Sequence, residues 1–413
     1  MKQLLFLFVL ILFVQACATK KVTPLLQENA NNYFSGLMVY NPITKDTLIS
    51  YNAEKYFTPA STVKLFTLYV SLKSLQDSIA TISYYETENS LYFKPLADPS
   101  FLHDSLPNTT FNFLKNTNKE LLIHQEPFED FIYGDGWQWD DFQYYYMPEK
   151  SVFPIYANMA LLHNNTRLMP SRFNKNLKEF DSLKFHRDFD ENLFYKDKKK
   201  RELRKIPFKT SFELARTLLS DTLQKPIYIS EKIENKRYKP YISTPLHPIY
   251  KRLMDESENF IAEQLFLIIS KEKTNHYKVK NTISYALDSL FYDIPNIPRW
   301  VDASGLSRYN IFTPKSMVYL LDKLYKDFGE EVTFELMPKN GENGKLQKWY
   351  PYESTYLYAK TGSLSNNHNI CGYIKTKKGT LLVFSYMNNN FIDKTSDVRI
   401  FMNKTLQEIY NTY

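Results

Sequence analysis

The sequence predicts an α+β fold in which one antiparallel sheet, built from both ends of the chain, is covered by helices and interrupted by an inserted, mostly β region. Three observations predict it. Strand-like runs occur near the start, at 36–39 and 47–51, and again near the end, at 356–360, 369–376 and 380–387. Helical spacing of apolar residues dominates much of the remainder, and no internal repeat interrupts it. Between about 90 and 205 the character changes to Tyr, Phe, Asn, Asp and Pro in short alternating stretches with many breakers. Strands at both ends with helices between them are satisfied most simply by one sheet closed by the two termini.

The first two strands are joined by the turn-like Asn41-Pro42-Ile43-Thr44-Lys45-Asp46. Thr58-Pro59-Ala60-Ser61 then signals a helix start, with Val63, Leu65, Phe66, Leu68, Tyr69 and Leu72 following at helical spacing. From about 211 a second helix carries Phe212, Leu214, Ala215, Leu218, Leu219 and Leu223 on one face. Two further apolar helices flank Ser257, one from about Pro248 and one over 259–269, and Thr313-Pro314 opens another. Lys377-Lys378-Gly379 reads as a tight turn between the last two strands. Val398, Phe401, Met402, Leu406 and Ile409 mark one side of a terminal helix.

The 413 residues, 43% hydrophobic and 16% aromatic, are enough for sizeable buried cores. With only ten glycines, each one says more than usual about backbone geometry. The net charge of +7 is modest. Its densest basic run, 196–205, reads first as a solvated face and second as a contact for an anionic envelope polymer. No nucleic-acid fold signature accompanies it, so that partner class is set aside. The seven histidines show no H-E-x-x-H or paired-ligand spacing, and no metal or other cofactor is expected.

At the N-terminus, Lys2 precedes an apolar run at 4–14, too short to span a bilayer as a mature helix. Val14-Gln15-Ala16-Cys17 follows. It resembles a bacterial lipobox, in which a small residue precedes the cysteine that is acylated; an ordinary secretory signal with an incidental cysteine is the other reading. The expected organisation is a signal peptide at 1–16, a tether at 17–32, a main domain at 33–90 and 206–413, and an inserted domain at 91–205. Cys371, the other cysteine, lies in an apolar segment and reads as a buried small hydrophobe.

Three short motifs carry chemistry. Ser61-Thr62-Val63-Lys64 is an S-x-x-K, and positions i and i+3 of a helix share a face, so the amine can approach the hydroxyl. A desolvated lysine loses its proton readily and can serve as base to the serine. The pattern alone is weak, since Ser270-Lys271-Glu272-Lys273 also fits. Ser257-Glu258-Asn259 is an S-x-N at a break between helices, where a hydroxyl can relay a proton and an amide can hold a carbonyl. It also fits an ordinary helix cap, and Ser50-Tyr51-Asn52 and Ser365-Asn366-Asn367 share the pattern. Lys360-Thr361-Gly362 is the single K-T-G. It would bind a carboxylate at the end of a strand, or else form a turn with an exposed lysine.

Together and in this order, the three resemble the signature of the serine β-lactamase and penicillin-binding protein superfamily. Within it the chain is most similar to the class C low-molecular-mass penicillin-binding proteins, the D-alanyl-D-alanine carboxypeptidase/endopeptidase family. The likeness extends to residues 56–64 around Ser61 and to Ala97-Asp98-Pro99-Ser100-Phe101-Leu102. It continues through Trp137-Gln138-Trp139-Asp140-Asp141, Ser243-Thr244-Pro245-Leu246 and Asp302-Ala303-Ser304-Gly305-Leu306-Ser307-Arg308, and spans about 33–390 in all. Glu258 stands where the family usually has Asp. The 196 positions from Ser61 to Ser257 are fewer than is typical, which implies trimmed insertions.

The resemblance implies a DD-peptidase/β-lactamase-like sheet with a helical subdomain. It implies Ser61 as nucleophile, Lys64 as its base and Ser257 as proton relay. Asn259 would hold the peptide backbone, Lys360 and Thr361 the terminal carboxylate, and the N–H groups of Ser61 and Ser363 the oxyanion, with Gly362 admitting the substrate backbone. The implied partners are peptidoglycan stem peptides ending in D-Ala-D-Ala, β-lactams as inhibitors, and an envelope membrane through a lipid on Cys17. A β-lactamase or esterase of the same fold, and an inactive peptidoglycan-binding lipoprotein, are the alternatives.

Overall fold

Alternating and β-branched stretches at the two ends of the chain meet in one five-stranded antiparallel sheet. Its order is Leu357–Leu364, Asn367–Lys375, Leu381–Asn389, Phe34–Tyr40 and Thr47–Tyr51. The computed structural model describes residues 33–180, 185–197, 203–230, 236–341 and 344–413. The expected signal peptide, tether and Cys17, and part of the basic run, therefore lie outside the described residues. The first strand pairs with the last, from Phe34 opposite Asn389 to Tyr40 opposite Val383, so the chain ends close the sheet as the sequence predicts.

Period-2 alternation gives this sheet two apolar faces, and each has its own helical cover. Leu37, Val39, Ile370, Ile374, Leu382 and Phe384 pack against Val398, Met402, Leu406 and Ile409 of the terminal helix Thr395–Thr412. On the other face Met38, Tyr373, Val383 and Met387 join a larger core with the helices Lys64–Ser74, Leu246–Asp255, Asn259–Thr274 and Pro314–Leu336. Every residue from Lys64 to Ser71 is buried, so this helix is the central one of that layer and not an amphipathic surface helix. Phe66 anchors it, edge-on to Phe291, Trp300 and Phe312 with centroids 5.1, 5.4 and 5.0 Å away.

A second five-stranded sheet, in the order Ile227–Ile229, Glu120–Ile123, Ser90–Pro95, Ser78–Glu86 and Lys239–Pro245, stands over a separate apolar core. Its strands and cover reach beyond the expected limits of 91–205. Strands at 78–86 and 239–245, on either side of 91–205, pair with each other in this sheet. The helix Phe212–Leu223, expected in the main domain, buries Ala215, Leu218 and Leu219 in the insertion's core. The physical reason is that Glu120–Ile123 runs parallel to both of its neighbours. Parallel strands need long crossovers, and helices belong in those crossovers. We therefore propose 78–245 as the inserted unit.

Asp98 gathers three segments of this unit. Buried, it accepts hydrogen bonds from the Ser100 N–H at 2.8 Å, Thr244 Oγ1 at 2.8 Å and Asn108 Nδ2 at 3.1 Å. Phe66→Ala is expected to remove about 3–5 kcal/mol of stability, as buried Phe truncations do, measured by denaturant unfolding. A loss below about 0.5 kcal/mol, the size of a typical surface change, would mean that the aromatic cluster is not the keystone of this layer.

Candidate active site

Ser61 lies on a short 3₁₀ segment, Ala60–Val63, that runs into the helix beginning at Lys64. The tighter winding departs from the α-helix expected here, and it aids the pairing, because i and i+3 side chains eclipse on a 3₁₀ turn. Lys64 Nζ stands 3.1 Å from Ser61 Oγ. It donates to two further acceptors at 2.6 Å, Asn259 Oδ1 and the Ser304 carbonyl. The Asn259 amide orientation follows from its other bond, since Nδ2 donates to the Tyr146 carbonyl at 2.8 Å. Neither oxygen beside Lys64 can donate, so both must take an N–H. A neutral amine then has its lone pair left for the third direction, toward Ser61.

Burial supplies that neutral amine. Lys64 has no exposure, and desolvation, with the nearby positive charge of Lys360, drives its pKa well below the ordinary lysine value. Asp302, Glu263 and Glu258 act in the opposite direction without reversing it. Lys360, 3% exposed, is lowered by burial to about 7, opposed by Asp255.

The S-x-N segment sits between the helices Leu246–Asp255 and Asn259–Thr274 as expected, but neither side chain caps a helix. The residue at the cap position is Glu258, which makes no side-chain capping bond. Ser257 instead accepts a hydrogen bond from Lys360 Nζ at 2.9 Å, from a backbone held at φ +57°. Glu258 accepts from Arg252 Nε at 2.5 Å and lies 3.3 Å from His103 Nε2. Burial would raise its pKa, yet His103 and Arg252 together hold the carboxylate below its usual range.

The K-T-G motif is neither a strand end nor a turn. It lies mid-way along the edge strand Leu357–Leu364, paired with Asn367–Lys375 so that Lys360 faces Cys371 and Gly362 faces Asn369. The glycine is required by contact. A Cβ on Gly362 would fall 2.6 Å from the Pro59 carbonyl and 2.7 Å from the Ser61 nitrogen. From the other side Gly305, at φ +81°, presses on the same turn, where a Cβ would meet the Ala60 carbonyl at 1.9 Å. Two backbones thus close on the Ser61 turn without intervening side chains.

A cleft of about 610 Å³ opens in front of these groups, lined by Ser61, Ser257, Asn259, Ser363, Asp141 and Arg308 among others. The alternative S-x-x-K is elsewhere. Ser270 Oγ donates to the His276 carbonyl, and Lys273 lies over the Tyr285 ring. Among the described residues no three His, Cys, Asp or Glu side chains could hold a metal ion together. Cys371 is free and fully buried.

A family model, D-Ala-D-Ala carboxypeptidase 3 (S13), matches residues 18–190 and 212–408. The chain belongs to this family. One relative is the D-alanyl-D-alanine carboxypeptidase DacB of Haemophilus influenzae, 23% identical over 91% of this chain and 89% of that protein. The fold matches penicillin binding protein 4 of the same organism with a TM-score of 0.77 at 20% identity, over 94% of this chain and 99% of the other. A predatory peptidoglycan endopeptidase from Bdellovibrio bacteriovorus matches at 0.51 and 16% identity, over 92% and 93% of the two chains.

Sequence reasoning missed several residues that the fold brings to this cleft. The Ser304 carbonyl is backbone and has no side-chain signature, although Asp302 does. Asp302 accepts from the Gly305 and Ser307 N–H groups at 2.8 and 2.6 Å, and from Trp137 Nε1 at 2.8 Å. It thereby ties the inserted segment to the loop that presents Ser304. Glu263, one helical turn beyond Asn259, accepts from the Ser304 N–H at 2.8 Å; burial, with Asp302 nearby, raises its pKa to about 7.

Between about pH 7 and the ordinary lysine range near 10, the unfolded chain holds a proton at Lys360 that the folded chain does not. Stability attributable to this residue therefore rises with pH across that window. Relative to Lys360→Met, the wild type is expected to gain stability from about pH 7 to about pH 10 in denaturant titrations. A pH-independent difference would mean that the amine is solvated.

Proposed function

We propose that this chain is a serine D-alanyl-D-alanine carboxypeptidase/endopeptidase that cleaves peptidoglycan stem peptides through an acyl-enzyme and is trapped by β-lactams. The observation that carries the reading is the buried Lys64 amine. It is bonded on two sides to oxygens that only accept, and 3.1 Å from Ser61 Oγ on the third. An amine so placed takes the hydroxyl proton as the oxygen attacks, which is what an amide substrate demands of a serine. Membership of the S13 family supports the same chemistry.

In this mechanism Ser61 Oγ attacks the carbonyl of the penultimate D-alanine as its proton passes to Lys64. The N–H groups of Ser61 and Ser363 receive the negative oxygen, where fixed dipoles act without reorganisation. Ser257 gives a proton to the departing amine and is resupplied through Lys360, its hydrogen-bond partner. Lys360 and Thr361 hold the terminal carboxylate, Asn259 the peptide backbone, and Gly362 admits the substrate chain. An anion beside Lys360 favours its protonated form, so a cation with a pKa near neutrality charges as the substrate enters. Water attacks the acyl-enzyme by the reverse proton path and releases the shortened peptide.

Incubation with a fluorescent penicillin is expected to give a long-lived label at Ser61, absent in Ser61→Ala and roughly a hundredfold slower to form in Lys64→Met, the scale of a lost general base. Rapid loss of label from the wild type would instead identify a β-lactamase, and no label an inactive binder.

We further propose that the chain is exported to a bacterial envelope and acylated at Cys17. The apolar run before that cysteine and the peptidoglycan substrate both support this placement. In cells fed a labelled fatty acid, the wild type is expected to carry label and sediment with membranes, and Cys17→Ala to do neither. Labelling unchanged by the substitution would remove the anchor from the proposal.

A further inference from the structure

Ser363 is exposed in the cleft, immediately after the K-T-G motif. Its hydroxyl meets a buried partner, His368 Nδ1, at 2.7 Å. His368 sits six positions beyond Gly362, on the neighbouring strand, where the register sets it opposite Ser363. Its other ring nitrogen, Nε2, is 2.9 Å from the hydroxyl of Tyr350. Tyr350 has no exposure and lies nearly parallel to the imidazole, with Met402 Sδ at 4.0 Å as the hydroxyl's other neighbour. The three side chains form a single file from the protein core to the cleft.

The direction of the hydrogen bonds along this file is fixed at its buried end. Burial and the nearby Arg399 hold His368 neutral, with its pKa lowered to about 3, so the ring has one N–H and one lone pair. The Tyr350 hydroxyl must donate somewhere. An imidazole nitrogen at 2.9 Å is a far better acceptor than a thioether at 4.0 Å. Tyr350 therefore donates to Nε2, the ring proton is on Nδ1, and Nδ1–H donates to Ser363 Oγ. The lone-pair side of Ser363 is then occupied from behind, and its O–H is left to point into the cleft.

We propose that Tyr350 and His368 are positioning residues that make the Ser363 hydroxyl a donor to the anionic end of the substrate. The inference rests on the peptidase reading above, because a C-terminal carboxylate is the ligand that offers only acceptors. With the opposite polarity, Ser363 would donate to the histidine and present lone pairs to the carboxylate. The file thus discriminates in favour of a free carboxylate over a neutral terminus.

Two measurements on the full chain test it. With ¹⁵N-histidine labelling, and His368 identified by the signal lost in His368→Gln, two-bond proton–nitrogen correlations report the tautomer directly. An Nδ1–H ring is expected; an Nε2–H ring would overturn the proposal whether or not any variant folds. Kinetically, Tyr350→Phe is expected to raise KM for a peptide ending in D-Ala-D-Ala about tenfold with kcat within about twofold, the size of one lost hydrogen bond to a charge. On the same peptide with a C-terminal amide the variant should match the wild type, and in a Ser363→Ala background it should add nothing. Equal losses on both peptides, or none on either, would overturn the proposal. A wild type that releases neither D-alanine from the acid peptide nor D-alaninamide from the amide peptide would instead count against the peptidase reading, and the tautomer measurement would then decide for or against the file by itself.

Discussion

The site depends on keeping one amine out of water. A lysine side chain taken into a protein interior is tolerated when its N–H groups are satisfied and its proton is given up. Lys64 meets both conditions at once, with Asn259 and the Ser304 carbonyl each at 2.6 Å and a second lysine close enough to discourage charge. The surrounding architecture supplies these partners. Asn259 comes from the first turn of the helix Asn259–Thr274, and Ser304 from a loop knotted around Asp302. The same burial that lowers the amine's proton affinity also makes it a demanding resident of the core.

Close backbone approach is the second condition. Gly362 and Gly305 let an edge strand and a loop touch the Ser61 turn from two directions. In a chain with only ten glycines, two lie against this one turn. Ala60 and Ser257, both held at positive φ without being glycine, lie beside them, and strain of this kind persists where surrounding contacts over-determine the backbone. Conformational cost is concentrated where the groups proposed to react converge.

Much of this was legible in the sequence because it is local. The Ser61–Lys64 pairing follows from an i, i+3 spacing on any helical turn, and strand alternation at both chain ends announces a sheet that closes on itself. The Asp98 and Asp302 stretches were recognisable by resemblance, and in the fold each is a buried carboxylate that gathers donors from several segments. The wider limits proposed for the insertion were not legible. Parallel pairing across long crossovers leaves no period in the sequence, and the helix Phe212–Leu223 looks alike whichever core it fills.

The sequence alone thus determined the order of elements and pointed to the groups proposed to react, since both are written in periodicities and short spacings along one stretch of chain. Tertiary structure alone decided what those groups can do. The proton affinity of Lys64 and the partner of Ser257 arise from residues far apart in the chain, and the imidazole file behind Ser363 from the register of two neighbouring strands and a buried tyrosine. Desolvation and hydrogen-bond geometry depend on distance in space, and a one-dimensional pattern does not record it.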